Sequence, residues 1–104
     1  MNKLSQNDME HLVDLVQRGE ITANEANVMK VKMARFVIVT KLDANLRSVL
    51  NAAVKSGELG HKKKDGHKPE VYFHPNFEHL ANEERNLAEK RAFEAIAGVL
   101  GTGR

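Results

Sequence analysis

Apolar and polar positions alternate with a helical period near the start of the chain. Four apolar residues recur at i, i+3, i+4 and i+7: Met9, Leu12, Val13 and Val16. Ser5 or Asn7 can cap this helix, and Gly19 can end it because glycine tolerates the backbone conformation that follows a helix. The pattern therefore predicts a first amphipathic helix.

A second helix is predicted from Ala23 to about Lys41. Thr22 and Glu25 have the spacing of a capping box, in which each side chain accepts a hydrogen bond from a backbone N–H at the helix start. The end of this helix is open to two interpretations, because residues 36–40 (Phe-Val-Ile-Val-Thr) are all aromatic or β-branched and suit a strand. We expect a helix end there, since no turn separates these residues from the helical run, and a short strand is the alternative.

The middle of the chain predicts a helix followed by a β-hairpin. Asp43 can cap a helix over residues 44–56, and Ser56-Gly57 can end it. Residues 58–75 then place two β-prone segments on either side of Asp65-Gly66, a dipeptide typical of tight turns.

The expected hairpin register places Leu59 opposite Pro75 and His61 opposite Phe73. Side chains alternate between the two faces of a strand, so one face of the hairpin is then apolar. The other face carries lysines together with Tyr72.

After Pro75 the chain again predicts helix, in two pieces that Asn76 and Asn82 begin. The apolar positions of the longer piece cover an arc wider than a lone surface helix needs, so we expect a homodimer contact there. The predicted contact consists of Leu87, Phe93, Ile96 and Leu100. Packing within the domain's own core is the alternative. Residues 1–100 are expected to form one domain, with 101–104 as a frayed end.

Charge is unevenly distributed along the 104 residues, although the net charge is only +2. Counting Asp, Glu, Lys and Arg, residues 1–27 sum to −3, residues 28–68 to +7 and residues 69–104 to −2. A positive middle between acidic flanks is typical of a surface that faces a polyanion. Loops and solvated helix faces also collect lysine, so charge alone leaves both interpretations open.

Several classes of chemistry have no support in the sequence. The chain has no cysteine, no glycine-rich phosphate loop and no nucleophile motif, and its clustered histidines lack the usual metal-ligand spacings. No apolar stretch approaches the roughly 20 residues needed to span a bilayer, and no secretory signal is evident. We therefore expect a cytoplasmic protein that is not an enzyme and that has no metal, cofactor, small-molecule ligand or membrane partner.

Residues 45–75 resemble the recognition helix and wing of the winged helix-turn-helix superfamily. The resemblance rests on a helix ending in Ser-Gly, the Gly-x-Leu of residues 57–59, a basic hairpin and the aromatic return strand Val71-Tyr72-Phe73. It implies a mostly helical α+β domain: a winged helix-turn-helix with a two-stranded hairpin wing and a C-terminal helix. The chain departs from the family in its long second helix and in a turn reduced to Leu42-Asp43 before the recognition helix.

The resemblance implies sequence-specific binding of double-stranded DNA, as in a transcriptional regulator. Helix 44–56 would enter the major groove, where Arg47 can pair with guanine and Asn51 with adenine, and the basic wing 58–75 would lie on the phosphate backbone. The implied DNA contacts are Asn45, Arg47, Ser48, Asn51, Lys55, His61, Lys62, Lys63, Lys64, His67, Lys68 and Tyr72. Each helix side chain could equally belong to an ordinary solvated surface.

A protein-binding adaptor is the alternative function. It would use the same scaffold to dock an acidic partner in a transcription or replication complex, because a fold by itself does not decide function. RNA binding is a third interpretation, which the single tyrosine disfavours. Sequence-specific DNA binding requires Arg47, Asn51 and Lys55 to lie beside the wing lysines. A protein-binding adaptor does not require this arrangement.

Overall fold

The computed structural model describes residues 5–100, and side chains as far as residue 97. Its elements are α1 (Gln6–Gln17), α2 (Ala23–Ala34), β1 (Phe36–Val39), α3 (Ala44–Lys55), β2 (Gly60–Lys62), β3 (Glu70–Phe73), a 3₁₀ turn (Pro75–Phe77) and α4 (Glu78–Leu100). The strands form one antiparallel sheet in the order β1-β3-β2. The expected α+β, mostly helical class is confirmed. The predicted frayed end at 101–104 lies outside the described residues.

Side-chain caps begin three of the helices where the sequence predicts. Ser5 caps α1, Thr22 and Glu25 form the reciprocal capping box of α2, and Asp43 caps α3. Each cap supplies an acceptor for a backbone N–H that has no partner inside its helix. These starts depend only on residues a few positions apart.

Residues 36–39 form a strand, so the expected helix end is wrong and the alternative is correct. α2 ends at Ala34, and Arg35 has a φ of +73°, in the left-handed region, which turns the chain out of the helix. The next four residues pair with β3, where β-branched side chains pack well. The second helix is therefore shorter than predicted, and β1 rather than a tight turn separates it from α3.

The hairpin register differs by one residue from the predicted register. Gly60 lies opposite Phe73, and His61 lies opposite Tyr72. His61 therefore shares a face with Tyr72, and Lys62 faces the other way. The physical reason is close contact at Gly60, where a Cβ atom would overlap the Phe73 ring. Glycine permits this pairing without displacing the Phe73 ring.

Helices cover both faces of the sheet, so β3 is buried on both sides. One cluster joins α2, α3 and the sheet and contains Val28, Val31, Leu50, Ala53, Leu59 and Tyr72. The other joins the opposite face to α4 and contains Phe36, Val71, Phe73 and Ala81. Tyr72, expected on a solvent-facing cationic surface, is instead 0% exposed. Neither face of β3 is free, which explains three consecutive buried residues.

After the 3₁₀ turn the chain forms one long helix rather than the two predicted pieces. His74 supplies the cap of the turn by accepting a hydrogen bond from the Asn76 backbone N–H at 3.1 Å. Asn82, expected to begin a helix, lies inside α4. Although α4 has 23 residues, neither it nor any other helix in residues 5–100 is long and apolar enough to cross a membrane.

We expect Gly60→Ala to lower the free energy of unfolding by about 1–3 kcal/mol, because the added methyl group must displace the buried Phe73 ring. Urea unfolding followed by circular dichroism measures the change. Lys64→Ala, in the exposed part of the same hairpin, is the control and should change stability by less than about 0.5 kcal/mol. Equal stabilities of the two variants would contradict the observed register.

Candidate nucleic-acid interface

The predicted DNA-contacting residues lie on α3 and the hairpin, which meet at one end of the sheet. β1 ends at Val39, opposite Glu70, the first residue of β3. β2 ends one pair further along, at Lys62 opposite Val71. This end of the sheet therefore carries Lys41, which follows β1. The start of α3 and the hairpin lysines lie at the same end.

One face of α3 is open to solvent. Leu50 and Ala53 on the opposite face are buried against α2 and the sheet. The open face is a shallow concave surface lined by Ala44, Arg47, Ser48, Asn51, Ala52 and Lys55. Four of these six residues are predicted DNA contacts, and Asn45 is exposed beside them.

Two of the side chains predicted to read bases have partners within the protein. The Arg47 guanidinium donates to both carboxylate oxygens of Glu70, at 2.7 Å from Nη1 and 3.0 Å from Nη2. Glu70 Oε2 also lies 2.6 Å from His61 Nε2. The Tyr72 hydroxyl donates to Asn51 Oδ1 at 2.6 Å. Arg47 would have to leave Glu70 to pair with guanine through the same two nitrogens.

Glu70 is the charged centre of this polar network. Hydrogen bonds from Arg47 hold the pKa of Glu70 at about 2, below its ordinary value of 4.5, although burial acts in the opposite direction. The contact with His61 also lowers this pKa. The same Glu70 hydrogen bonds raise the pKa of Arg47, and burial raises the pKa of Tyr72. The network therefore contains a fully charged ion pair at neutral pH.

His61 and Tyr72 form an enclosed ring pair rather than a stacking surface for bases. Their ring centroids lie 4.3 Å apart with an interplanar angle of 22°. The His61 side chain is 16% exposed, and Tyr72 is fully buried. Their observed role is to join the hairpin to α3 through Glu70 and Asn51.

The hairpin closes with a two-residue turn at Gly66-His67, one residue beyond the predicted turn dipeptide Asp65-Gly66. Asp65 and Lys68 exchange both backbone hydrogen bonds, at 3.0 and 2.9 Å. Gly66 has a φ of +60°, which favours glycine at the first position of a type II′ hairpin turn.

The hairpin lysines divide into one anchored and three available cations. Lys62 pairs with Glu78 of α4 at 2.9 Å. Lys63 and Lys64 are exposed and Lys68 is partly exposed, and within the described part of the chain none of the three forms a salt bridge. Lys55 is likewise exposed, but it lies in the last turn of α3, two turns beyond Arg47. The structure therefore places Arg47 beside the hairpin and Lys55 at the far end of the helix.

The fold separates the clustered histidines. His61 contacts Glu70, His67 packs edge-on against Phe93 with centroids 5.0 Å apart, and His74 caps the 3₁₀ turn. Among the residues with described side chains, no group of three or more His, Cys, Asp or Glu is placed to hold a metal ion.

Arg85, which joins the hairpin to α4, is a residue of this site that the sequence pattern did not predict. Its Nε donates to the Pro69 carbonyl at 2.9 Å, and its Nη2 donates to the Lys63 carbonyl at 2.7 Å. Nothing in the local pattern marks this arginine, because it is one of several charged residues on a long helix. Pro69 offered the only signal, since proline cannot donate to a strand ladder.

The predicted dimer contact lies on α4. Leu87, Phe93 and Ile96 are 41%, 54% and 42% exposed, and the Leu100 side chain lies outside the described residues. Leu87 and Ile96 are nine residues apart, which is about 2.5 helical turns, so they point to opposite sides of α4. One partner helix could cover Phe93 and Ile96 but not Leu87, and dimerisation stays a prediction.

Comparison of the chain with protein-family models, with curated proteins and with solved structures found no match. The winged helix-turn-helix resemblance therefore rests on the residue pattern of 45–75 alone.

We expect Glu70→Gln to lower the free energy of unfolding at neutral pH by about 1 kcal/mol, because an amide cannot replace the charged partner of Arg47. The folded-state pKa of Glu70 lies below 4.5, so this stabilisation is present above pH 4.5 and is lost as the pH falls towards 2. Urea unfolding at several pH values should show the difference between wild type and variant shrinking over that range.

Glu83→Gln is the control for this pH dependence. Glu83 is exposed and has no ion pair among the described side chains, so its substitution should leave stability nearly unchanged at every pH. A Glu70→Gln difference that persists at pH 2 would argue against the ion pair.

If α4 joins two copies of the chain through Phe93 and Ile96, the variant Phe93→Ser/Ile96→Ser should have the mass of a monomer at concentrations where the wild type is a dimer. Light scattering after gel filtration measures the mass. Leu87→Ser on the other side of α4 is the control and should remain dimeric. A monomeric wild type would reject the predicted dimer.

Proposed function

We propose that the protein binds double-stranded DNA, with the open face of α3 against a groove and the hairpin lysines on the phosphate backbone. The supporting observation is the shared location of Lys63, Lys64 and Lys68 with Lys41 at the end of the sheet where α3 begins. Cations that have no acidic partner gain most from phosphates, because binding releases the counterions condensed on DNA.

The hairpin lysines would supply affinity without sequence information. Lys63 and Lys64 are exposed neighbours between the end of β2 and the tip of the hairpin, so both ammonium groups are open to phosphates. Contacts of this kind position a protein on the duplex but do not distinguish bases.

Sequence preference in this proposal comes from α3. Asn45, Ser48 and Lys55 are exposed and form no side-chain hydrogen bond among the residues described, so they are free to meet base edges. Asn51 retains its N–H₂ group as a donor while its oxygen accepts from Tyr72. A helix of 12 residues fits the major groove, whose width admits an α-helix. A role in regulating transcription would follow from this mode of binding.

A protein-binding adaptor is the second candidate, and two observations favour it. Arg47 already has a partner in Glu70, which reduces the number of free groups for reading bases. An apolar groove between α1 and α2 is lined by Leu12, Val13 and Val16, and Val13 is 50% exposed. Retention of a partner protein after nuclease treatment, with the hairpin lysines removed, would favour the adaptor.

We expect Lys63→Ala/Lys64→Ala to lower affinity for mixed-sequence duplex DNA roughly tenfold at low salt. The slope of log affinity against log salt concentration should fall by about 2, one for each lost phosphate contact. Fluorescence anisotropy of a labelled duplex over a salt series measures both quantities.

Arg18→Ala/Lys30→Ala is the control for net charge, because it removes two positive charges from the α1–α2 end of the protein, one of which is paired with Asp14 and Glu20. An equal loss of affinity in this control would show that net charge, and not the position of the hairpin lysines, determines the affinity. Wild-type protein that fails to bind duplex at low salt would reject DNA binding altogether.

A further inference from the structure

The hairpin ladder is interrupted in the segment that carries the exposed lysines. β2 pairs with β3 as far as Lys62 opposite Val71, and the next backbone pair, Asp65 with Lys68, lies at the tip. Pro69, between these pairs, has no N–H to donate. The ladder alone therefore does not hold this segment of the hairpin in place.

Arg85 bridges the interruption from α4. One nitrogen of its guanidinium donates to the Pro69 carbonyl and another to the Lys63 carbonyl, so a single side chain contacts both sides of the hairpin. The planar group of arginine offers several N–H donors in a rigid fork, which lysine lacks. Hydrogen bonds from a charged donor are also stronger than those between neutral groups.

Two further contacts extend this support along the hairpin. Glu78 pairs with Lys62 at its base, and Phe93 packs against His67 at its tip. Glu78, Arg85 and Phe93 follow one another at intervals of about two helical turns, so they lie on one side of α4. α4 therefore contacts the hairpin from base to tip.

We propose that Arg85 is a positioning residue for DNA binding, holding Lys63 and Lys64 where they reach duplex phosphates without itself contacting DNA. This inference rests on the proposed function. The hairpin that α4 supports would then bind the phosphodiester backbone of a duplex. In this proposal α4 is part of the DNA-binding unit. A hairpin fixed before binding loses less conformational entropy when its lysines meet phosphates.

The test is Arg85→Lys, which keeps the charge but loses the fork. We expect affinity for mixed-sequence duplex to fall roughly three- to tenfold. Backbone amides of Asp65 and Lys68 should exchange their hydrogens faster, as measured by NMR without DNA, because the hairpin opens more often. Arg91→Lys is the control, since among the described side chains Arg91 pairs only with Glu84 on its own helix, at 3.6 Å.

A double-mutant cycle separates positioning from direct contact. In the Lys63→Ala/Lys64→Ala/Lys68→Ala background, Arg85→Lys should cause no further loss of affinity, because the available lysines of the hairpin are gone. A further loss of equal size would show that Arg85 contacts phosphate itself, and would overturn the proposal. Unchanged affinity with faster exchange, or reduced affinity with unchanged exchange, would also overturn it. Wild-type protein that does not bind DNA would instead reject the proposed function, and this inference with it.

Discussion

The side chains of β3 connect all other parts of the candidate site. Tyr72 packs with α2 and α3, while Val71 and Phe73 pack on the other face, towards α4. Glu70 at the start of the strand holds Arg47 of α3 and His61 of β2. Burial of one strand on both faces therefore determines where the helix and the hairpin lie relative to each other.

The polar network at Glu70 has both a structural and a functional consequence. It ties α3 to the sheet through an ion pair that is only partly exposed, where a charged pair contributes more than at the open surface. It also pairs Arg47, the strongest candidate for reading guanine, with an acidic residue of the protein itself. The free positions on α3 are then Asn45, Ser48 and Lys55, which carry less charge than the residue pattern alone suggested.

The hairpin differs from a flexible basic loop because a helix supports it along its length. Arg85 spans the interruption in the ladder, and contacts at Lys62 and His67 lie on either side. One of the lysines in the basic run is thereby neutralised, whereas its two neighbours remain exposed. Attachment of the hairpin to α4 thus separates structural cations from those available to a polyanion.

Local signals in the sequence determined the helix starts at Thr22 and Asp43, limited the first cap to Ser5 or Asn7, and marked a turn near Gly66, since each depends on groups within a few positions. They also located the exposed face of α3 and the lysine-rich hairpin. Tertiary structure decided whether residues 36–39 pair with a distant strand, which register the hairpin takes, and which charged side chains find partners. Alternation along a strand is equally regular in either register, so contacts between distant residues, such as that of Gly60 with the Phe73 ring, distinguished them. The partners of Arg47 and Arg85 lie more than fifteen residues away in the chain, and no local pattern of residues contains such contacts.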